Sequence, residues 1–267
     1  MKIATWNINS VRLRIDNVLN FLNHHNIDVL CLQETKCEDD KFPAEKFANE
    51  GYKFLHFTGE KSYNGVAIIS KFKFKPKNSL SLYNNDKRHI SAEFEGFGSN
   101  NNLNFELHNI YIPAGGDIPD VQENPKFKHK IEYNKELTKW FSKNREKGNN
   151  IIAVGDFNIA PFENDVWSHK QLLDVVSHTP IEVEHLEKFR KSINFVDVAR
   201  DFVPHSEKLY SWWSYRNQDW KKSNRGRRLD HIWVTEPLKN QIRKFEIYKE
   251  TRDWQSPSDH TPVIIEI

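Results

Sequence analysis

Cysteine is scarce in this chain of 267 residues: Cys31 and Cys37 are too few for a disulfide scaffold. There is no CxxC pair and no Cys/His cluster, which argues against a zinc site. Cys31 lies inside an apolar strand pattern and reads as a small buried hydrophobe. No apolar run is long enough to cross a membrane, and residues 2–6 read directly as a strand with no signal peptide before them. The expectation is a protein of the reducing cytoplasm that contacts no membrane. One-sided charge is also missing. The 39 basic and 37 acidic residues leave a net charge of +2. That balance excludes neither nucleic acid nor any other partner, because a local cationic face matters more than the sum. No low-complexity linker interrupts the chain, so a single domain over 1–267 is expected. The charged fraction of 28% fits a soluble globular protein. Eight Trp and 18 Phe are enough to supply stacking surfaces as well as core.

The stretch around which the rest is organised is 149–158. Residues 151–154 form a continuous apolar run, read as a strand buried on both faces. Gly155, Asp156, Phe157 and Asn158 follow. Positions i and i+2 of an extended chain point to one side, so Asp156 and Asn158 are expected to stand together at a strand's carboxyl end. Other strands are expected at 28–32, 52–57, 66–70, 89–94, 105–112, 229–234, 245–248 and 263–267, with an aromatic, strand-like stretch at 210–215. Residues 63–65 read as a turn, and 95–104 as a Gly/Ser/Asn-rich hairpin loop. An amphipathic helix carries Val11, Ile15, Val18, Leu19 and Leu22, with Ser10 as its N-cap. Further helices are expected near 43–50, from Phe127 to a stop near Gly148, and over 186–193. Each half, about 1–120 and 121–267, opens on an apolar strand ending in Asn or Asp-x-Asn and closes on an alternating strand. This pseudo-duplication predicts two sheets packed face to face with helices outside, four layers in all.

Strand ends then carry Asn7, Glu34, Tyr111, Asp156 with Asn158, and Asp259 with His260, while Asp230 starts a strand. Taken singly, each has an ordinary explanation. Glu34 reads equally as a solvated strand end, Asp259-His260 as a turn pair, Asn7 as a cap, and Asp230 as the partner of Arg227 or Arg228 in a surface ion pair. Taken jointly, they form an oxygen-rich, sulfur-free set suited to a hard cation such as Mg²⁺ or Mn²⁺. Glu34 is the first candidate ligand and Asp259 the second. An Asp-His pair beside such an ion suits attack of water on a phosphodiester, where negative charge develops.

Trp6-Asn7-Ile8-Asn9-Ser10, Leu32-Gln33-Glu34-Thr35-Lys36, Tyr63-Asn64-Gly65-Val66, Tyr111-Ile112-Pro113, Gly155-Asp156-Phe157-Asn158, Arg228-Leu229-Asp230 and Ser258-Asp259-His260 occur in that order. In these motifs the chain resembles the bacterial branch of the exonuclease III/AP endonuclease family, within the endonuclease/exonuclease/phosphatase superfamily. The resemblance implies a DNase-I-like four-layer α/β sandwich of mainly antiparallel, mixed sheets. It implies cleavage of duplex DNA 5′ to abasic sites, with 3′→5′ exonuclease and 3′-phosphatase or phosphodiesterase activity, by a monomer associated with the nucleoid. Nicks and blocked 3′ ends are the other implied substrates. It also implies roles. Asp156 activates the water, with Asn158 and Asn7 positioning water and phosphate. His260 with Asp230 stabilises the phosphate, and Tyr111 donates to the phosphate or leaving group. Glu34 and Asp259 hold the metal, with Asn7, Asp156 and Asn158 around it. Trp212 and Leu229 line the pocket for an extrahelical abasic sugar. Alternation along that strand predicts Trp213 buried and Trp212 exposed. Tyr63, Asn64 and Arg88 match backbone-contacting positions. Lys221, Lys222, Arg225, Arg227 and Arg228 form a basic cluster beside the pocket.

Ala114, Asp117 and Arg227 depart from the family pattern and bear on the balance between exonuclease and abasic-site cleavage. Two other readings stand beside this one. A phosphatase or sphingomyelinase of the same superfamily would share the hydrolytic set without the Trp212 segment. A non-catalytic DNA-binding module would have lost a catalytic group.

Overall fold

The computed structural model describes residues 1–77, 79–80, 82–97, 103–217 and 219–267. The chain first lays down β1 (Lys2–Asn7), β2 (Val29–Gln33), β3 (Phe54–Glu60) and β4 (Tyr63–Ser70). It then builds β5 (Lys75–Lys77), β6 (His89–Phe97), β7 (Leu103–Tyr111), β8 (Ile151–Asp156) and β9 (Val196–Asp197). A short pair, β10 (Trp212–Trp213) and β11 (Gly226–Arg227), precedes β12 (Asp230–Val234), β13 (Lys244–Ile247) and β14 (Val263–Glu266). Two six-stranded sheets result, with orders β13-β14-β1-β2-β4-β3 and β5-β6-β7-β8-β12-β9. Among the described residues, the parallel pairs are β1 with β2 and β7 with β8. The sheets do not divide at residue 120: β5 to β7 already belong to the second, and β13 and β14 return to the first.

Strand alternation explains the layers. Ile3, Val29, Cys31, Ile68, Ile90, Leu107, Ile152, Val154, Ile232 and Val263 meet in the core between the sheets. The opposite face of the first sheet, Ala4, Trp6, Leu30 and Leu32, packs on Val18, Phe21 and Leu22 of the helix Ile15–His25. The outer face of the second sheet, including Ile110, Ile151 and Ala153, packs on Tyr133, Leu137 and Phe141 of the helix Pro125–Asn144 and on Leu186 and Phe189 of the helix Pro180–Lys191. Each large apolar side chain so buried contributes roughly 1.5–3 kcal/mol. The expected four-layer α/β sandwich is the fold observed.

Several local expectations change. Ser10 is not a helix cap. It lies at φ +89° and donates its N–H to the Glu34 carbonyl at 2.7 Å, while the helix starts at Ile15 with Arg14 before it. The first loop is thus spent on holding the end of β2. Residues 63–65 are the start of β4, and the turn falls at 61–62. The long helix stops at Asn144, short of Gly148. Residues 98–102 of the expected hairpin loop lie outside the described residues.

Gly155 sits at φ +140°, and a Cβ there would overlap the Ile110 carbonyl oxygen. Only glycine lets β8 pass this close to β7 one residue before Asp156.

Candidate active site

The topology gathers the polar strand ends on one rim. β1, β2, β7 and β8 end there with Asn7, Gln33, Tyr111 and Asp156. β12 runs antiparallel to β8 and starts there, with Asp230 opposite Asp156. The 258–260 segment leads into β14, the antiparallel neighbour of β1.

Asn7 stands at the centre. Its Nδ2 donates to Glu34 Oε1 at 2.9 Å and to Asp156 Oδ2 at 2.8 Å. Asp156 Oδ2 also accepts from Asn158 Nδ2 at 2.9 Å, and Asp156 Oδ1 accepts from the Asn158 N–H at 2.9 Å. Tyr111 donates its hydroxyl to Glu34 Oε1 at 2.9 Å. Lys36 pairs with Glu34 Oε2 at 2.8 Å and donates to Asn9 Oδ1 at 2.7 Å. Asp230 Oδ2 binds His260 Nδ1 at 2.8 Å, and His260 Nε2 lies 3.8 Å from Asp156 Oδ2. Glu34 and Asn158 both have left-handed backbones, φ +51° and +53°. For a residue with a Cβ that conformation is strained, and it persists where surrounding bonds fix it.

Electrostatics assign the protons. Burial raises Asp156 to about 7; Asp230 and Glu34 push the same way, while His260 and Asn7 oppose. Burial also works against a charged His260, but Asp230 and then Asp156 overcome it and hold the ring as imidazolium well above its usual range. Burial would raise Glu34 too, yet Lys36 and Asn7 hold it below its ordinary value. Burial and the neighbouring Glu34 keep the Tyr111 phenol protonated. The site therefore pairs an unusually basic buried carboxylate with a fixed cation and several neutral donors.

The donor set fits a hard cation. Asp156 and Asp230 bring carboxylate oxygens within 4.8 Å of each other beside His260, whose imidazolium supplies charge rather than a ligand, and Glu34 joins them through Asn7. Asp259 instead accepts from Trp212 Nε1 at 2.9 Å and from Asn9 Nδ2 at 3.2 Å, and Asn9 links it to Glu34 through Lys36 and through Asn7.

A second, more open region adjoins the rim. Trp212 is half-buried and pairs by a bridge with His260, while Trp213 is buried. Trp212 packs with Leu229, Ala160, Val166 and Leu172. Arg227 lies 5.3 Å over its ring and donates to the Val176 carbonyl at 2.8 Å and to Ser177 Oγ at 2.6 Å. Exposed Arg225 stacks on Trp167 at 4.8 Å, and Lys222 is exposed on the short helix Trp220–Ser223. Arg228 does not belong to this face. It is wholly buried between Asp165 and Asp197, and Asp230 pairs with His260 rather than with either arginine. Lys221 is occupied by Asp253 at 2.7 Å. On the other flank, Arg88 donates to Tyr63 Oη at 2.9 Å and lies 4.5 Å over the Tyr111 ring. Asn64 is buried, and among the described residues its amide has no protein partner.

The family profile described as the Endonuclease/Exonuclease/phosphatase family matches residues 4–260. The chain belongs to that family. Within the endonuclease/exonuclease/phosphatase family it is 30% identical to exodeoxyribonuclease III of Haemophilus influenzae over 98% of both chains. The structure superposes on an AP endonuclease from Archaeoglobus fulgidus with a TM-score of 0.90 at 30% identity, covering 100% of this chain and 99% of that one. It also superposes on a 3′ phosphatase from Neisseria bound to a product DNA hairpin, with a TM-score of 0.86 at 29% identity and the same coverage.

Sequence reasoning missed the residues that hold these groups. Ser211 Oγ donates to Asp230 Oδ2 at 2.7 Å, and Ser258 Oγ donates to the Asn7 carbonyl at 2.7 Å. Gln33 and Asn109 join the two sheets beneath the rim: Gln33 Nε2 donates to Asn109 Oδ1 at 2.7 Å, and Asn109 Nδ2 donates to the carbonyls of Leu32 and Ala67, both at 2.9 Å. Gln33, Ser211 and Ser258 lie inside the stretches that carry the resemblance, whereas Asn109 gave no signal of its own.

Proposed function

We propose that this chain is a metal-dependent DNA-repair nuclease that cleaves duplex DNA 5′ to abasic sites and also acts as a 3′→5′ exonuclease and 3′-phosphatase. One observation carries the reading: a proton acceptor, an imidazolium and neutral donors share one rim, directly beside the half-buried Trp212 and the Leu229 it covers. The three activities break one type of bond, the P–O3′ bond, so a single centre can serve them all. Water adds to phosphorus while Asp156 takes its proton. His260, held by Asp230, together with Asn7 and Asn158, stabilises the added negative charge. Tyr111 donates toward the phosphate or the departing O3′. A divalent cation, with Mg²⁺ the expected ion and Mn²⁺ a substitute, would be held by Glu34 with Asp156, Asn7 and Asn158 around it and Asp259 further out behind Asn9, and would supply charge neutralisation at the phosphate.

The names of the relatives, an exodeoxyribonuclease, an AP endonuclease and a 3′ phosphatase, support the substrate class. The half-buried Trp212 packed on Leu229 supports selection of a sugar without a base, with Arg225, Arg227, Lys222, Tyr63, Asn64 and Arg88 toward the backbone. We place the protein at the nucleoid, as a monomer. The test is a purified-protein assay on three duplexes, with an abasic analogue, a nick and a 3′-phosphate, in Mg²⁺ and in excess chelator. Cleavage in Mg²⁺ that stops in chelator is expected. Unchanged digestion in chelator, or equal cleavage of intact and abasic duplex interiors, would refute the respective part of the reading.

A further inference from the structure

The loops that follow β7 and β8 converge on one side chain the hydrolytic chemistry leaves unused. Lys130, on the helix Pro125–Asn144, is wholly buried. Its ammonium donates to the Asn158 carbonyl at 2.8 Å and to the Ala114 carbonyl at 3.2 Å. Its counter-ion is Glu182, also wholly buried. Glu182 accepts in turn from the Ser177 N–H at 2.9 Å, the Thr179 N–H at 3.1 Å and Thr179 Oγ1 at 2.7 Å. Ser177 Oγ and the Val176 carbonyl then receive Arg227, whose guanidinium covers Trp212. A continuous chain of contacts thus runs from Asp156 through Asn158, Lys130, Glu182, Ser177 and Arg227 to Trp212.

An ion pair withdrawn from water this fully is weak evidence for a stability role, because apolar residues of similar volume often serve a core equally well. What an apolar pair does not supply is a set of donors aimed at two carbonyls. One of them belongs to Asn158, which holds a left-handed backbone while its amide reaches Asp156 Oδ2 and the Ile112 carbonyl. The other belongs to Ala114, three residues beyond Tyr111.

We propose that Lys130 and Glu182 are positioning residues for the phosphodiesterase reaction: they fix the Asn158 peptide, and through it Asp156, and tie that centre to Arg227 and the Trp212 ring it covers. The proposal rests on the nuclease reading above. Small displacements of a reacting group are costly to rate while leaving substrate binding largely intact, so the signature is a split between kcat and affinity.

The deciding variant is the full chain with Lys130→Met and Glu182→Met together, which strands no buried charge. Single-turnover cleavage of an abasic-analogue duplex and of a 3′-phosphate duplex in Mg²⁺ is measured beside DNA affinity and Tm. The expected result is a folded protein with a lowered Tm, because the Ser177 and Thr179 donors lose Glu182, with DNA Kd within about 3-fold and kcat lower by roughly 10- to 100-fold on both substrates. Wild-type kcat in the folded double variant overturns the proposal. Should the double variant fail to fold, Glu182→Gln decides: it keeps the acceptor toward Ser177 and Thr179 and removes the charge beside Lys130. A kcat loss of about 3- to 10-fold at unchanged Kd is expected, and unchanged kcat overturns the idea. A wild-type protein inactive on both duplexes refutes the nuclease reading itself, a failure distinct from active enzyme with indifferent variants.

Discussion

The hydrolytic rim and the aromatic face beside it are built by opposite means. At the rim, Asn7, Asp156, Asn158, Asp230 and His260 are buried, and each takes part in two or more hydrogen bonds. At the face, Trp212 is half-open, Arg225 and Lys222 are exposed, and the arginines rest on indole rings rather than on carboxylates. A group that must meet a reacting atom is fixed before the substrate arrives, because reorganising charge during the reaction costs rate. A surface that must follow a backbone of varying local shape keeps its cations mobile and its rings half-exposed.

Mutations can break this contrast in order of expected effect. Asp156→Asn removes the proton acceptor and should lower kcat on every duplex by about 10³-fold or more with Kd changed by only a few-fold; near-normal turnover would take Asp156 out of the chemistry. His260→Asn removes the cation facing it and should cost roughly 10²-fold in the same assay. Trp212→Ala should fall mainly on selection. Abasic-site cleavage is expected to drop by about 10-fold while hydrolysis at ordinary 3′ ends drops far less, and equal losses on the two substrates would merge the two regions. Arg225→Ala should be milder still, weakening duplex binding by about 3-fold and lowering the slope of log Kd against log salt by about 1; an unchanged slope would place Arg225 off the DNA.

The smallest expected effect lies away from both regions, on β7 at Glu106. Burial works to raise this carboxyl, but His108 and the fork from Arg145, at 2.6 and 2.7 Å, hold it well below the usual range. A depressed carboxylate stabilises the fold fully above its unfolded pKa of about 4.3 and loses that contribution as pH falls below it. Glu106→Gln should therefore remove on the order of 1–2 kcal/mol at neutral pH and flatten the acid limb of denaturant-derived stability below about pH 4, leaving kcat unchanged.

The residues split in how far the linear chain revealed them. Asp156, Glu34, Tyr111 and His260 stood out jointly, because each ends or precedes an apolar run that reads as a buried strand. Trp213 inward and Trp212 at the surface followed from strand alternation. Arg228 misled, since a basic residue among basic neighbours looks solvated, and nothing local announces that Asp165 and Asp197 wait for it in the core. Ser10 misled because a serine before a helical pattern reads as a cap, whereas the fold uses its N–H to hold the Glu34 carbonyl.

What the sequence by itself determined was most of the long strands and their polar ends, because alternation and burial are local properties. What only the tertiary structure decided was which polar groups meet. The bonds from Asn7 to Asp156, from Asp230 to His260, from Gln33 to Asn109 and from Lys130 to Asn158 all join residues far apart in the chain, and a bond between distant residues depends on how sheets pack, not on either residue's neighbours.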